Sequence, residues 1–229
     1  MKIDIMTLFP EVCEAFLSSS VIGRARNKGI LDIKCHQIRD FAFDKHKRVD
    51  DTPYGGGKGM VMMAEPIFKC FENICELRGS RPVLIYMTPK GEVFNQKMAV
   101  DLKNKYDSIA ILCGHYEGVD QRVIDEIVDM QISVGDYVLT GGEIPAVAVV
   151  DAICRIVPGV LSDDVCFEDE SHYKGLLEYP QYTKPAVWHD KKVPDVLISG
   201  HHANIEEWKR KKSLEETRKY RPDILKKQY

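Results

Sequence analysis

The chain has 229 residues, a formal charge of −3, and 44% hydrophobic against 29% charged residues. A domain takes roughly 100–200 residues, so one large domain or two unequal ones fit. The apolar share can fill a sizeable core, which excludes a disordered chain, and the net charge excludes a histone-like polycation.

The charge is uneven. Residues 200–229 carry nine Lys/Arg against five Asp/Glu, a balance of +4 that leaves −7 on residues 1–199. An acidic body with a basic tail hints at a polyanion partner, although a solvated C-terminal helix has the same composition. Seven cysteines (Cys13, Cys35, Cys70, Cys75, Cys113, Cys154 and Cys166) include no CxxC pair. Buried, reduced thiols in a cytoplasmic protein fit this pattern, and a zinc site does not. The start, MKIDIMTLFP, is too short and interrupted for a signal peptide. No apolar run approaches the ~20 residues that span a bilayer. A soluble, cytoplasmic protein without membrane contact is expected.

In chain order, Lys2–Leu8 alternates like a strand and stops at Pro10. Pro66–Leu77 reads as a helix. Val83–Met87 is a buried strand running into Thr88-Pro89-Lys90-Gly91. Asn95–Tyr106 reads as a helix, and Ile109–Cys113 as a strand ending at Gly114. Val119, Val123 and Ile127 recur every four residues, with Ile124 and Val128 beside them, so a helix follows. Ile132–Val134 and Tyr137–Leu139 read as strand segments flanking Gly135 and leading to Gly141-Gly142. Ala146–Val157 is apolar nearly all round and should be a buried helix, with Pro145 near its start and Pro158-Gly159 beyond its end. Short continuous apolar runs alternating with helices give an α/β domain with a mostly parallel sheet over residues 1–160. Ser162–His172 is polar and acidic, which suits a flexible linker over 161–174. In residues 175–229, Asn204–Lys212 and Leu214–Tyr220 read as two short amphipathic helices.

Open α/β sheets bind ligands beyond the carboxyl ends of their strands. Three such ends carry glycine or proline here: 88–91, 114–118 and 133–145. Glycine permits sharp turns and close backbone approach to a ligand, although any one segment alone is ordinary turn chemistry. Neither GxGxxG after a strand nor a P-loop occurs, which argues against a dinucleotide or nucleoside triphosphate site. A fourth segment, Asp50–Met60, holds Gly55, Gly56, Gly57 and Gly59 around Lys58, and follows Lys45-His46-Lys47-Arg48. Backbone N–H groups and cations there suit phosphates, and a mobile surface loop suits them equally. Arg155 lies in the apolar helix, where a charge must be paired, functional, or snorkelling at the helix end. Adjacent His201 and His202 do not share a face in a helix or strand, so no metal site is expected.

The string GHYEGVDQRV followed by SVGDYVLTGGEIPA resembles the bacterial tRNA (guanine-N1-)-methyltransferases, the TrmD family of the SPOUT superfamily. IDIMTLFPE, DDTPYGGGKGMVM, PGVL, GLLEYPQYTKP and VLISGHHANIEEWK agree in order along nearly the whole chain. The resemblance implies a SPOUT-type, mostly parallel sheet with a deep trefoil knot and a small helical C-terminal domain. Residues 1–160 would bind S-adenosylmethionine, and 175–229 would bind tRNA. The implied reaction is methylation at N1 of the guanosine at position 37 of tRNA, preceded by another guanosine. It also implies a homodimer with shared sites, and a magnesium ion without an assigned place. With the glycine-bearing strand ends, it nominates Pro89, Gly114, Glu117, Ser133, Val134, Gly135, Tyr137, Leu139, Gly141, Gly142 and Pro145 for the cofactor.

Guanine N1 must lose a proton before it attacks, and charge then develops on O6. By the resemblance, Glu170 takes the proton, with Asp169 in reserve, since the family places an aspartate before the serine that is Ser171 here. Arg155 faces O6. Lys47, Arg48, Lys58, Gly59, Lys209, Arg210, Lys211 and Lys212 are the expected tRNA contacts. Lys58 and His115 stand where the family commonly has proline and arginine. Two rival readings are a SPOUT methyltransferase acting on another RNA, such as ribosomal RNA, and a non-catalytic RNA-binding protein that kept the cofactor pocket.

Overall fold

The computed structural model describes residues 1–161, 170–173 and 175–226. They fall into two compact units, Met1–Asp164 and Val165–Tyr229. In the first, the elements run β1 (Lys2–Thr7), α1 (Pro10–Leu17), α2 (Ser20–Asn27), β2 (Asp32–Gln37), β3 (Asp50–Asp51), β4 (Val61–Met62), α3 (Ala64–Arg78), β5 (Val83–Val93), α4 (Gln96–Lys105), β6 (Ser108–Cys113), α5 (Gln121–Ile127), β7 (Met130–Ser133) and α6 (Glu143–Cys154).

A five-stranded sheet in the order β2-β1-β6-β5-β7 forms the centre, and its strand pairings are parallel. The expected α/β class holds. Alternation sends Met6, Leu84, Tyr86, Ala110 and Leu112 to one face, where they meet Ile67, Phe71 and Ile74 of α3 and Val123, Ile124 and Ile127 of α5. Ile3, Ile5, Ile85, Ile109 and Ile111 alternate with these and are fully buried as well. Helices therefore cover both faces, as a parallel sheet requires. Asp4 is 1% exposed inside β1. The Arg78 guanidinium at the end of α3 donates to both its oxygens and also pairs with Asp32, and His36 Nε2 lies 2.7 Å from Asp4 Oδ1. A buried carboxylate needs such partners.

The structure departs from the sequence reading in several places. Strand β5 does not stop at Met87 but runs eleven residues, with a register shift against β7 between Met87 and Glu92. Thr88-Pro89-Lys90-Gly91 is thus an irregular stretch within the strand. Pro89 has no N–H for a ladder, and a Cβ on Gly91 would stand 2.4 Å from the backbone nitrogen of Ile132. Residues 137–139 form no strand; the Tyr137 N–H turns back onto the Gly135 carbonyl at 3.0 Å. Helix α6 starts at Glu143 and ends at Cys154, so Arg155 is its C-cap. Nor is α6 buried all round: Ile144 is 63% exposed and Ala148 is exposed. Periodicity also missed α1, α2 and β2. Strand β2 reads DIKCHQ and lies at the sheet edge, where polar residues face water.

The second unit holds β8 (Val187–Trp188), β9 (Lys191–Lys192), α7 (Asp195–Ile198), α8 (His202–Tyr220) and α9 (Pro222–Lys226). The two expected helices are one, since α8 runs unbroken through Ser213. Lysine, arginine and glutamate are good helix formers, and one serine does not end them. Buried Thr217 anchors α8: its Oγ1 accepts from the Leu177 N–H at 2.8 Å and donates to the Ser213 carbonyl at 2.6 Å. Trp208 packs against the rings of Tyr179 and Tyr182.

Candidate active site

A cavity of about 360 Å³ opens beside the irregular middle of β5 and at the carboxyl ends of β6 and β7. All eleven positions nominated for the cofactor line it, along with Tyr86, His115, Tyr116 and Gln131 among others. The volume lies within the usual ~300–1,000 Å³ of small-ligand sites.

Two loops form one wall, and glycine lets them touch. The Gly142 N–H donates to the Gly114 carbonyl at 2.9 Å. A Cβ on Gly142 would lie 2.7 Å from the Cys113 Cα, and one on Gly141 would lie 2.3 Å from the His115 ring. These are closer than real side-chain contacts, so the sequence Gly141-Gly142 follows from the crossing.

A buried latch fastens the crossing. Glu143, the first residue of α6, is 5% exposed. Its Oε2 lies 2.7 Å from His115 Nε2, and its Oε1 accepts from the Thr7 hydroxyl at 2.5 Å. The Phe9 ring packs on His115 at 5.0 Å between centroids. A carboxylate at a helix N-terminus is favoured by the helix dipole. Thr7 and Glu143 were not anticipated from the sequence. The one available signal was an acid opening an otherwise apolar helix. Tyr86 was also missed because it reads as core; burial pushes its phenol up, against a hydrogen bond with Thr88. Burial raises the Cys113 thiol too, and the Cys154 thiol to about 12, which leaves neither as a nucleophile at neutral pH.

The glycine loop adjoins the same wall. The Glu117 N–H donates to the Met60 carbonyl at 3.0 Å, and the Met62 N–H to the Gly118 carbonyl at 2.9 Å. A Cβ on Gly59, at φ +89°, would stand 2.5 Å from Glu117 Oε1. Residues 55–59 are exposed, Lys58 included. Lys47 and Arg48 are exposed and ion-paired, with Asp40 at 2.7 Å and Asp44 at 2.5 Å. The Arg48 guanidinium draws the Asp44 carboxyl below its ordinary value.

Arg155 is half-buried at the end of α6. One turn back, burial raises the Asp151 carboxyl, and the Arg155 charge opposes that rise. Glu170 belongs to the second unit and is half-buried. Its neighbourhood is tied to the GLLE segment: Ser171 Oγ accepts from the Glu178 N–H at 2.9 Å, and the His172 N–H donates to the Leu176 carbonyl at 2.8 Å. Asp169 lies outside the described residues, as do 162–168 of the linker. Within Lys209–Lys212 the cations differ. Lys209 pairs with Glu206 at 2.7 Å and lies over the Tyr179 ring, and Lys212 pairs with Glu215 at 2.5 Å. Arg210 and Lys211 are exposed on other faces of the helix. Among the described residues no group of three or more His, Cys, Asp or Glu could hold a metal ion, and no helix is long and apolar enough to cross a membrane.

Comparison with known proteins gives these features a family. The family model described as tRNA (Guanine-1)-methyltransferase TrmD matches residues 1–227. A tRNA (guanine-N(1)-)-methyltransferase of Ruminiclostridium cellulolyticum is 52% identical over 227 residues, covering 99% of this chain and 97% of that one. Proteins of the same name from Lachnospira eligens and Alkaliphilus oremlandii are 54% and 55% identical, covering 98% and 99% of this chain and 94% and 92% of theirs. A glycine-walled cavity at the strand ends and a full-length match point the same way: the chain belongs to the tRNA (guanine-1)-methyltransferase TrmD family.

Proposed function

We propose that this chain transfers the methyl group of S-adenosylmethionine to N1 of the guanosine at position 37 of tRNA, where another guanosine precedes it. The observation that carries the reading is the cavity walled by Gly114, Gly141 and Gly142 at the sheet's carboxyl edge, in a chain of this family. The residues present fit the cofactor. Pro89 and Leu139 offer apolar surface, and Gly135 and Gly141 bring backbone into the lining. Bound there, S-adenosylmethionine supplies an electrophilic methyl group. No residue of the chain is assigned to magnesium.

The chain's own residues do the rest. Glu170 accepts the N1 proton, with Asp169 the alternative, and so turns a poor nucleophile into a good one. Arg155 stabilises the charge that grows on O6. The first unit carries the cofactor and the deep trefoil knot, and the second unit holds tRNA through Arg210, Lys211 and their neighbours, with Lys47, Arg48, Lys58 and Gly59 on the glycine-loop side. The protein works as a homodimer. Phe9 just before α1, Val12 and Phe16 of α1 and Ile144 of α6 are exposed large apolar side chains on or beside two helices that pack together, which supports a covered surface there. Free thiols at the six described cysteines suit work in the cytoplasm.

A methyl-transfer assay on unmodified tRNA transcript tests the whole reading. The expected product is N1-methylguanosine at position 37. Transfer only to ribosomal RNA, or cofactor binding without transfer, would replace it with one of the two rivals.

A further inference from the structure

The second unit contains two tryptophans in opposite circumstances. Trp208 is half-buried against Tyr179 and Tyr182. Trp188 is 61% exposed, and every residue from 181 to 192 is exposed. It sits on the hairpin of β8 and β9, closed by the two residues His189 and Asp190 at φ 46° and 60°. Positive φ at both positions matches the twist of a tight hairpin, at a conformational cost for residues other than glycine. A two-stranded hairpin with no packed face is marginal in water.

The register shows what the hairpin presents. Trp188 is paired directly with Lys191, so ring and ammonium share a face, whereas Val187 and Lys192, the next pair, share the opposite face. The His189 ring packs edge-on against the indole at 4.4 Å between centroids. Over 184–192 the charges are Lys184, Lys191 and Lys192 against Asp190 alone. A protein partner for an exposed tryptophan would favour an apolar surround, since interface centres are depleted in lysine. An aromatic ring with a cation on its own face, in a positively charged segment, instead suits an unpaired nucleotide, with the base on the ring and its phosphate on the lysine.

We propose that the Val187–Lys192 hairpin is a stacking platform for an unpaired base of the tRNA, with Trp188 taking the base and Lys191, on the same face, the adjoining phosphate. This rests on the tRNA reading above and adds a contact distinct from the Lys209–Lys212 helix face.

The experiment titrates unmodified tRNA transcript into the full-length protein and follows tryptophan emission. Trp208→Phe leaves Trp188 as the sole emitter, and comparison of the unchanged protein with Trp188→Ala gives the same information without touching Trp208. The Trp188 emission should be quenched at saturation. Trp188→Ala should bind tRNA about 5–150-fold more weakly, the range a lost base stack spans. Trp188→Phe should recover most of that loss, and cofactor affinity should not change. Lys191→Gln should lower the salt slope of binding by roughly 1, and Lys192→Gln, on the opposite face, should lower it less. Unchanged emission with normal tRNA affinity in Trp188→Ala, while methyl transfer persists, overturns the platform and leaves the tRNA reading standing. Emission that shifts with protein concentration in the absence of RNA assigns the hairpin to a second copy of the chain, and also overturns it. If the unchanged protein neither binds nor methylates the transcript, both readings fail together.

Discussion

The cavity wall of the first unit and the cationic surface of the second are built in opposite ways. Around the cavity the key polar groups are buried and bonded: Glu143 and Thr7 are 5% and 0% exposed, and they hold His115 against Gly141. In the second unit Trp188, Lys191, Arg210 and Lys211 stand at the surface. A small ligand is read by backbone fixed to a fraction of an ångström, which needs a rigid, satisfied interior. A polyanion is attracted across roughly 8–10 Å of electrolyte, so long side chains in water serve. The two regions should therefore respond differently to substitution.

The largest effect is expected at the proposed base. Glu170→Gln should slow single-turnover methylation by roughly 10²–10⁴-fold with cofactor affinity nearly unchanged, and Glu170→Asp should stay active. Full loss in Asp169→Asn, with Glu170→Gln near normal, would make Asp169 the base. The next largest is on stability. Arg78→Ala leaves the Asp4 carboxylate buried without its guanidinium, which should cost about 3–5 kcal/mol in denaturant unfolding. A loss below 1 kcal/mol would mean that His36 alone suffices for Asp4.

Gly141→Val sharpens the comparison at the cavity. Its side chain would meet the His115 ring, so calorimetry should show cofactor binding weakened about 5–150-fold, as overpacking of 1–3 kcal/mol implies, in a protein that still binds tRNA. Normal cofactor affinity in this variant would place the pocket elsewhere. On the cationic side, Arg210→Gln with Lys211→Gln should lower the salt slope of tRNA binding by roughly 1–2. Lys209→Gln with Lys212→Gln should lower it less, because Glu206 and Glu215 already neutralise those two lysines. Equal slopes for the two double variants would remove that distinction.

The smallest effect concerns Asp151. Its carboxyl is raised in the fold by burial, so the folded state holds its proton more tightly than the unfolded chain does. Stability is then lost as pH rises from the ordinary value of 3.8 through the raised one. Asp151→Asn should increase the melting temperature slightly at pH 7 and leave it unchanged near pH 3. A decrease at pH 7 would show that pairing with Arg155 outweighs the burial.

Much of the first unit was legible because apolar periodicity is local. The strand Ile109–Cys113, the start of the strand at Val83 and the helices over 66–77 and 95–106 emerged from the apolar pattern within a few residues of their final bounds, whereas the end expected at Met87 fell six residues short of Val93. The break at Ser213 was wrongly expected, because an amphipathic pattern reports partners as well as helicity, and α8 has a single buried residue, Thr217. Strand β2 and helices α1 and α2 escaped because edge and surface elements carry weak apolar signals. The glycine-bearing cavity loops were visible as turn chemistry.

By itself the sequence determined the α/β class, the three glycine-bearing loops and the family. Each depends on residue type at short range, or on strings long enough to be specific. Tertiary structure alone decided that Thr7, His115 and Glu143 form one latch, that Gly59 abuts Glu117, and that Asp4 and Arg78 share a buried pair 74 positions apart in the chain. Contacts across such separations have no local periodicity to betray them. They exist only once the parallel strands are in register and the loops at one edge of the sheet are brought together.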